Sequence, residues 1–363
     1  MPKILHAADL HLDSAFTGLP PEKARERRRE SRELPERLAD LVLDRGVELV
    51  LLAGDVFDGE RVYPETLESL RAALERMACP VVIAPGNHDP YTAHGPYAAC
   101  RWPANVHIFR EPYIQALELP ALGCTVYGAA FTAPERLDMA LADFSPVDRG
   151  GVRLLCLHGD LDRPESRYGP LTREQLGRCG LDYAALGHIH QCSGLRRWGA
   201  AAYAYPGCPE GRGFDELGEK GVLLGTVERG RAELDFVPVC RRRYWVLEAD
   251  VTGATAREAL ERAVPAGAEG DICRVVFTGE TAGTVDLAAL ETAFAHRFYA
   301  LQLRDETCVA RELWAQAGES TLRGLFLQRM RERYDGASDD AERERIVRAV
   351  RFGLAAMEGR DLG

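Results

Sequence analysis

The chain has 363 residues, an apolar fraction of 46% and a formal net charge of -11, so a globular protein of two ordinary domains or one large one is expected. The acidic balance excludes a protein that coats nucleic acid by bulk charge, but not a local basic groove or phosphate binding through metal ions. No apolar run approaches the roughly 18 residues that span a bilayer. No signal peptide precedes the strand-like start, and the ten cysteines form no C-x-x-C pair; a cytoplasmic location with no membrane association follows as the expectation.

Lys3 to Ala8 reads as a first strand, ending in Asp9-Leu10-His11. Glu22 to Arg45 is charged and helical in period, with Pro35 predicting a kink or split. Val47 to Ala53 is a continuous apolar run, as in a strand buried on both faces, and ends in Gly54-Asp55-Val56-Phe57-Asp58. A helix over Pro64 to Ala78 leads to a third strand, Pro80 to Ala84, and to Gly86-Asn87-His88-Asp89. This β-α-β-α-β order predicts a parallel sheet with crossover helices.

The next stretch is richer in strands: 106–109, 113–119, 125–129, 152–157, 183–186, 202–205, 222–227 and 232–237. The 152–157 run ends in His158, and the 183–186 run ends in Gly187-His188-Ile189-His190. Arg241-Arg242-Arg243 marks a boundary between residues 1–240 and a small α/β module over 244–305. Two helices follow in a C-terminal segment, 318–360. The second of these opens at Ser338 or Asp339 as N-cap and carries Ile346, Val347, Val350, Leu354 and Met357 on one face. That apolar face suits either docking to a partner's coiled coil or packing on the preceding module.

Five of the nine histidines fall in polar clusters at strand ends. Taken singly, each cluster has an ordinary explanation. Asp9 and His11 can cap a strand, Asp55 can close an Asx-turn, and His158 can be a hydrogen-bonded core histidine. His188 and His190, two apart on an extended segment, would point the same way. The joint occurrence argues for chemistry. Asp55, Asn87, His158 and His188 can surround one ion, and Asp9, His11, Asp55 and His190 a second, with Asp55 bridging. Nitrogen and oxygen donors without thiolate favour Mn, Fe or Zn in a non-structural site. Two such ions clamp a phosphoryl group and activate water near neutral pH.

The series Asp9-x-His11, Gly54-Asp55-x-x-Asp58, Gly86-Asn87-His88-Asp89, His158 and Gly187-His188-x-His190 resembles the calcineurin-like metallophosphoesterases over about the first 240 residues. The resemblance implies an α/β fold, a β-sandwich flanked by helices, here with a small C-terminal α/β cap domain and helical tail. It implies the two-ion assignment above, His88 as the catalytic side chain on the substrate phosphate, and Asp58 as its orienting partner. Asp89 is left to fix the loop. His6-Ala7-Ala8-Asp9-Leu10-His11-Leu12-Asp13, Gly54 to Asp58 and Tyr205 to Gly221 further resemble the SbcD/YhaO-like branch of DNA-repair exonucleases, relatives of the meiotic-recombination nuclease. That branch implies manganese, DNA as substrate and a coiled-coil ATPase as partner, and leaves a homodimer open. Candidate DNA contacts are Arg212, Arg196 and Arg197, with Arg167, Arg173 and Lys220 beside them, and Tyr168 and Trp198 as stacking residues. A metallophosphatase or cyclic-nucleotide phosphodiesterase would use the same ions, but has less use for the region after residue 240. A non-catalytic scaffold should lack a ligand, and none is missing.

Overall fold

The computed structural model describes every residue except 139–140, 143, 147–149, 282–284, 310–313 and 358–363, so the end of the 318–360 segment lies outside the described residues. Two units emerge, Met1–Arg243 and Tyr244–Gly363.

The first unit is built on two six-stranded sheets. One runs in the order Arg231–Pro238, Gly221–Glu228, Lys3–Ala7, Leu49–Leu52, Val81–Ile83 and Val106–Ile108. Its last four strands are parallel, and the two hairpin strands at the other edge are antiparallel. The other sheet runs Arg196–Trp198, Ala201–Ala204, Tyr183–Gly187, Val152–His158, Cys124–Gly128 and Gln115–Leu119, parallel inside and antiparallel at both edges. Side chains alternate across each strand. In the first strand Leu5 and Ala7 face the helices, packing with Leu38, Val42, Leu70 and Leu74, while Ile4 and Ala8 face the second sheet, packing with Leu154, Cys156 and Ala185. The fold is therefore the expected β-sandwich with helices outside. The charged stretch splits into helices Pro21–Arg32 and Leu34–Arg45, with Pro35 in the first turn of the second. One short helix, Arg173–Arg178, has no apolar period to reveal it; a capping box between Thr172 and Gln175 starts it.

The arginine run before residue 244 is partly consumed inside this unit. Arg242 Nη2 lies 2.6 Å from Glu30 Oε1, and buried Arg27 bridges Glu30 at 2.6 Å and Glu210 at 2.9 Å. Arg37 also reaches Glu210, whose Oε1 accepts the Arg241 N–H at 3.0 Å. These pairs fasten the 205–214 loop to the first two helices.

The second unit holds a parallel three-stranded sheet, Tyr244–Asp250, Ile272–Thr278 and Ala300–Asp305, with helices Ala256–Ala263 and Leu287–Phe294. Helices Leu322–Asp335 and Asp340–Met357 follow. Asp339 is the N-cap, accepting the Glu342 N–H at 2.7 Å, while Ser338 bonds the Glu342 side chain. Arg351 of the last helix is 3.0 Å from Asp305 Oδ2, so the helical segment and the sheet form one body.

Between the two sheets of the first unit, His6 is fully buried, and its Nδ1 lies 2.8 Å from the Tyr183 hydroxyl. Burial pushes its pKa down to about 3. The unfolded chain takes up that proton near pH ~6.5, so the stability held by neutral His6 is complete above this value and is lost as pH falls through it. His6→Gln keeps a partner for Tyr183 and does not titrate. In urea unfolding, wild type should lose about 2 kcal/mol more than His6→Gln between pH ~7 and ~5. Parallel losses would show that His6 is not the acid-sensitive group.

Candidate metal centre

The first two strand-end clusters meet because the loops that carry them are zipped together by their backbones. Asp9 N–H donates to Gly54 O at 3.0 Å, His11 N–H to Asp55 O at 2.9 Å, and Asp58 N–H to Leu12 O at 3.0 Å. Asp9, His11, Asp55 and His188 have φ of 54°, 44°, 50° and 112°, in the left-handed region that non-glycine residues avoid. Four such residues at one site are a strain that the surrounding bonds must hold. Gly86 is required by proximity, since a Cβ there would lie 2.2 Å from Asp55 Oδ1.

Two groups of donor atoms result. In one, His158 Nε2 is 2.9 Å from Asn87 Oδ1, which is 3.2 Å from His188 Nδ1, and Asp55 Oδ2 stands 3.5 Å from His158 Nε2. In the other, His11 Nε2 and His190 Nε2 face each other at 3.2 Å, with Asp55 Oδ2 3.7 Å from the first and Asp9 Oδ1 3.8 Å from the second. The seven residues proposed as ligands are thus brought together, with Asn87, His158 and His188 on one side of Asp55 and Asp9, His11 and His190 on the other. His188 and His190 do not point alike, however. The positive φ at His188 breaks the extended backbone, so His188 presents Nδ1 to one group and His190 presents Nε2 to the other.

Burial sets the protonation states. It pushes the pKa of His11 down to about 4 and of His188 to about 3, and holds His158 below its ordinary value. Neutral imidazoles keep a lone pair for a cation. Burial and the Asp55 carboxylate raise Asp9. Burial also acts to raise Asp55, but the facing His158, His11 and His88 hold it below the usual carboxylate range. Imidazole nitrogens, one amide oxygen and carboxylate oxygens converge, which is the donor set a divalent cation requires, and a bound cation would take the place of the proton that the raised Asp9 carboxyl favours.

Asp89 is the buried support of the loop. It accepts N–H bonds from Asp55, Val56, Phe57 and Gly86 at 3.2, 2.7, 3.1 and 2.8 Å, and the Tyr97 hydroxyl at 2.6 Å. His88 is exposed, and its backbone N–H is tied to Asp55 Oδ1 at 2.9 Å. The expected Asp58–His88 hydrogen bond is not made. Asp58 Oδ1 lies 3.0 Å from both His11 Nδ1 and Arg212 Nη1, within reach of His88 but committed elsewhere.

The other candidates divide. Arg212 lies inside the site, bonded to Asp58 and Glu216. Arg196 and Arg197 lie on an exposed edge strand, donating to Ser193 O and Gly230 O at 2.8 and 3.3 Å. Arg173 stacks over the Trp198 ring at 4.9 Å on the same edge. Arg167 pairs with Glu135 on the surface, and the Tyr168 ring sits 5.2 Å from that of His188. Lys220 is not a surface cation. It is buried, and its Nζ donates to His190 O at 3.1 Å, where that carbonyl replaces water. Sequence reading missed Glu216, whose Oε1 is 2.7 Å from His190 Nδ1. It lies in a loop without period, and its only signal is its nearness in the chain to Arg212.

The chain is 32% identical over 243 residues to the uncharacterized metallophosphoesterase YhaO of Bacillus subtilis (strain 168), covering 64% of this chain and 59% of that protein. It is 28% identical to the DNA double-strand break repair protein Mre11 of Aeropyrum pernix over 72% of this chain and 67% of that one. With the SbcD subunit of the nuclease SbcCD of Bacillus subtilis it shares 26% identity over 60% of this chain and 63% of that subunit. The chain therefore spans less than two thirds of the YhaO and SbcD lengths. The family model for calcineurin-like phosphoesterases matches residues 2–192, over half of the chain and the whole stretch from Asp9 to His190 that builds both donor groups. On that match and that donor set, this chain belongs to the calcineurin-like phosphoesterase family.

Proposed function

We propose that the chain is a two-metal phosphodiesterase acting on DNA, with Mn2+ as its working ion, and that it serves as the nuclease subunit of a complex with a coiled-coil ATPase. The observation that carries the reading is the pair of donor groups sharing Asp55 beside one exposed imidazole, His88. Asp9, His11, Asp55 and His190 would hold one ion, and Asp55, Asn87, His158 and His188 the other. The ions, once bound, supply Lewis-acid charge and activated water. His88 is the one exposed histidine of the constellation, the others being buried or half-buried. That suits a side chain that touches the phosphate and stabilises charge or protonates the leaving oxygen.

The names of two relatives, a DNA double-strand break repair protein and a nuclease subunit, support DNA over a small phosphoester. So does the Tyr168 ring beside His188, 38% exposed and flat enough to take a base. The Arg196, Arg197, Arg173 and Trp198 edge offers phosphate and base contacts farther along a strand. In the second unit, Leu322 and Leu325 at 75% and 58% exposure offer apolar surface to a partner helix.

The test compares Mn2+-dependent turnover of end-labelled linear DNA, a cyclic nucleotide and a phosphomonoester. DNA should be the preferred substrate, and turnover confined to the small esters would sink the nuclease reading. In the same assay His88→Ala should lower kcat by roughly 10²–10⁴ while both ions still bind. Loss of an ion in that variant would mean that His88 is a ligand instead.

A further inference from the structure

We infer that Arg212 and Glu216 form a clamp that positions the two imidazoles of one metal site, and that Arg212 acts there rather than on substrate phosphate. This rests on the two-ion reading above. His11 and His190 both turn Nε2 toward the same point, 3.2 Å apart. Each is backed at Nδ1 by a carboxylate: His11 by Asp58 at 3.0 Å, His190 by Glu216 at 2.7 Å. A carboxylate at Nδ1 holds the ring in one orientation and favours the tautomer whose Nε2 presents its lone pair to a cation.

Arg212 joins the two carboxylates. Its Nη1 donates to Asp58 Oδ1 at 3.0 Å and its Nη2 to Glu216 Oε1 at 2.9 Å, and its backbone N–H donates to Glu216 Oε2 at 2.7 Å. One planar guanidinium thus sets both orienting groups at once, which a lysine cannot do. The Arg212 Nη2 to His190 Nδ1 distance of 3.1 Å follows from both groups sharing Glu216 Oε1.

The other ion's imidazoles are held differently. His158 Nδ1 is 2.9 Å from Ala53 O, a backbone carbonyl that no side-chain variant removes. His188 uses Nδ1 itself toward Asn87. The clamp therefore acts on one ion of the pair. Loosening it should weaken that ion and spare its neighbour.

The full chain, stripped with chelator, is titrated with Mn2+ by calorimetry and by electron paramagnetic resonance. Arg212→Ala and Glu216→Ala should each weaken one of the two ions by about 10–100-fold and leave the other unchanged. The double variant should weaken that ion by less than the product of the two single effects, because the two residues share a hydrogen bond. Glu216→Gln keeps an acceptor for His190 and should recover part of the loss. Arg212→Lys, which reaches one carboxylate only, should fall between wild type and Arg212→Ala. Excess Mn2+ should restore DNA turnover in Arg212→Ala without a raised KM for DNA.

Two unchanged ions with a raised KM would make Arg212 a substrate contact and overturn the clamp. Equal weakening of both ions, together with a lower thermal midpoint of the metal-free chain, would reduce it to a structural pair and overturn it as well. A wild-type chain that binds fewer than two ions would overturn the two-ion reading itself, and the clamp with it.

Discussion

Asp55→Ala should abolish phosphodiester cleavage, by on the order of 10³-fold or more, and should remove the stabilisation that Mn2+ gives to the fold. Among the described residues Asp55 is the carboxylate whose oxygen lies within 4.0 Å of an imidazole nitrogen of each donor group, at 3.7 Å to His11 Nε2 and 3.5 Å to His158 Nε2. Its loss touches both proposed ions, whereas loss of any other ligand touches one. Each ion bound at 100 times its dissociation constant stabilises the folded chain by about 2.7 kcal/mol. Wild type should therefore show a large rise in thermal midpoint on adding Mn2+, and Asp55→Ala little or none.

The metal-free variant is expected to stay folded. Removing Asp55 costs the His88 N–H its acceptor, about 1 kcal/mol, but it also removes a negative charge that acts to raise the pKa of both Asp9 and Asp89. The site is arranged for cations and not for the stability of the empty protein. An Asp55→Ala chain that keeps the full Mn2+-dependent rise would refute the bridging role, whatever its activity.

The parts of this centre that the sequence made legible are those written in strand ends. An apolar run that stops at a polar pair marks where a parallel strand delivers a side chain, and Asp9, Asp55, Asn87, His158 and His188 all follow such runs. What links one loop to another left no trace of that kind. Glu216, 26 residues after His190, sits in an irregular loop, and nothing periodic ties it to an imidazole. The partner of Asp58 differs from the expected His88 because the pairing depends on Arg212, 154 residues away, drawing that carboxylate toward His11. Lys220 looked like a surface charge because a long polar side chain usually is one. Here the His190 carbonyl gives its ammonium a partner below the surface. Local chemistry could be read residue by residue; the shared partners were set by tertiary contacts.

Asp89→Ala is expected to have the largest effect on stability. Four backbone N–H groups and the Tyr97 hydroxyl converge on this one fully buried carboxylate. Alanine leaves all of them without an acceptor, and each unpaired buried donor costs about 1–3 kcal/mol. Even with partial relaxation the loss should reach roughly 4–6 kcal/mol, a large share of the ~5–15 kcal/mol that holds a domain folded. Burial and the nearby Asp55 carboxylate push the Asp89 pKa up to about 7, which opposes these donors. In Asp89→Asn, an NH2 group must face either the Val56, Phe57 and Tyr97 donors or the Asp55 and Gly86 donors. Urea unfolding should place Asp89→Asn between wild type and Asp89→Ala, with Tyr97→Phe down by only about 1 kcal/mol. Because Asp89 pins the Asp55 turn to the Gly86 turn, Asp89→Asn should also weaken Mn2+ binding, with no change to any proposed ligand. An Asp89→Asn chain as stable as wild type would mean that the carboxylate is protonated in the native state and that its neighbours are satisfied by a neutral acid.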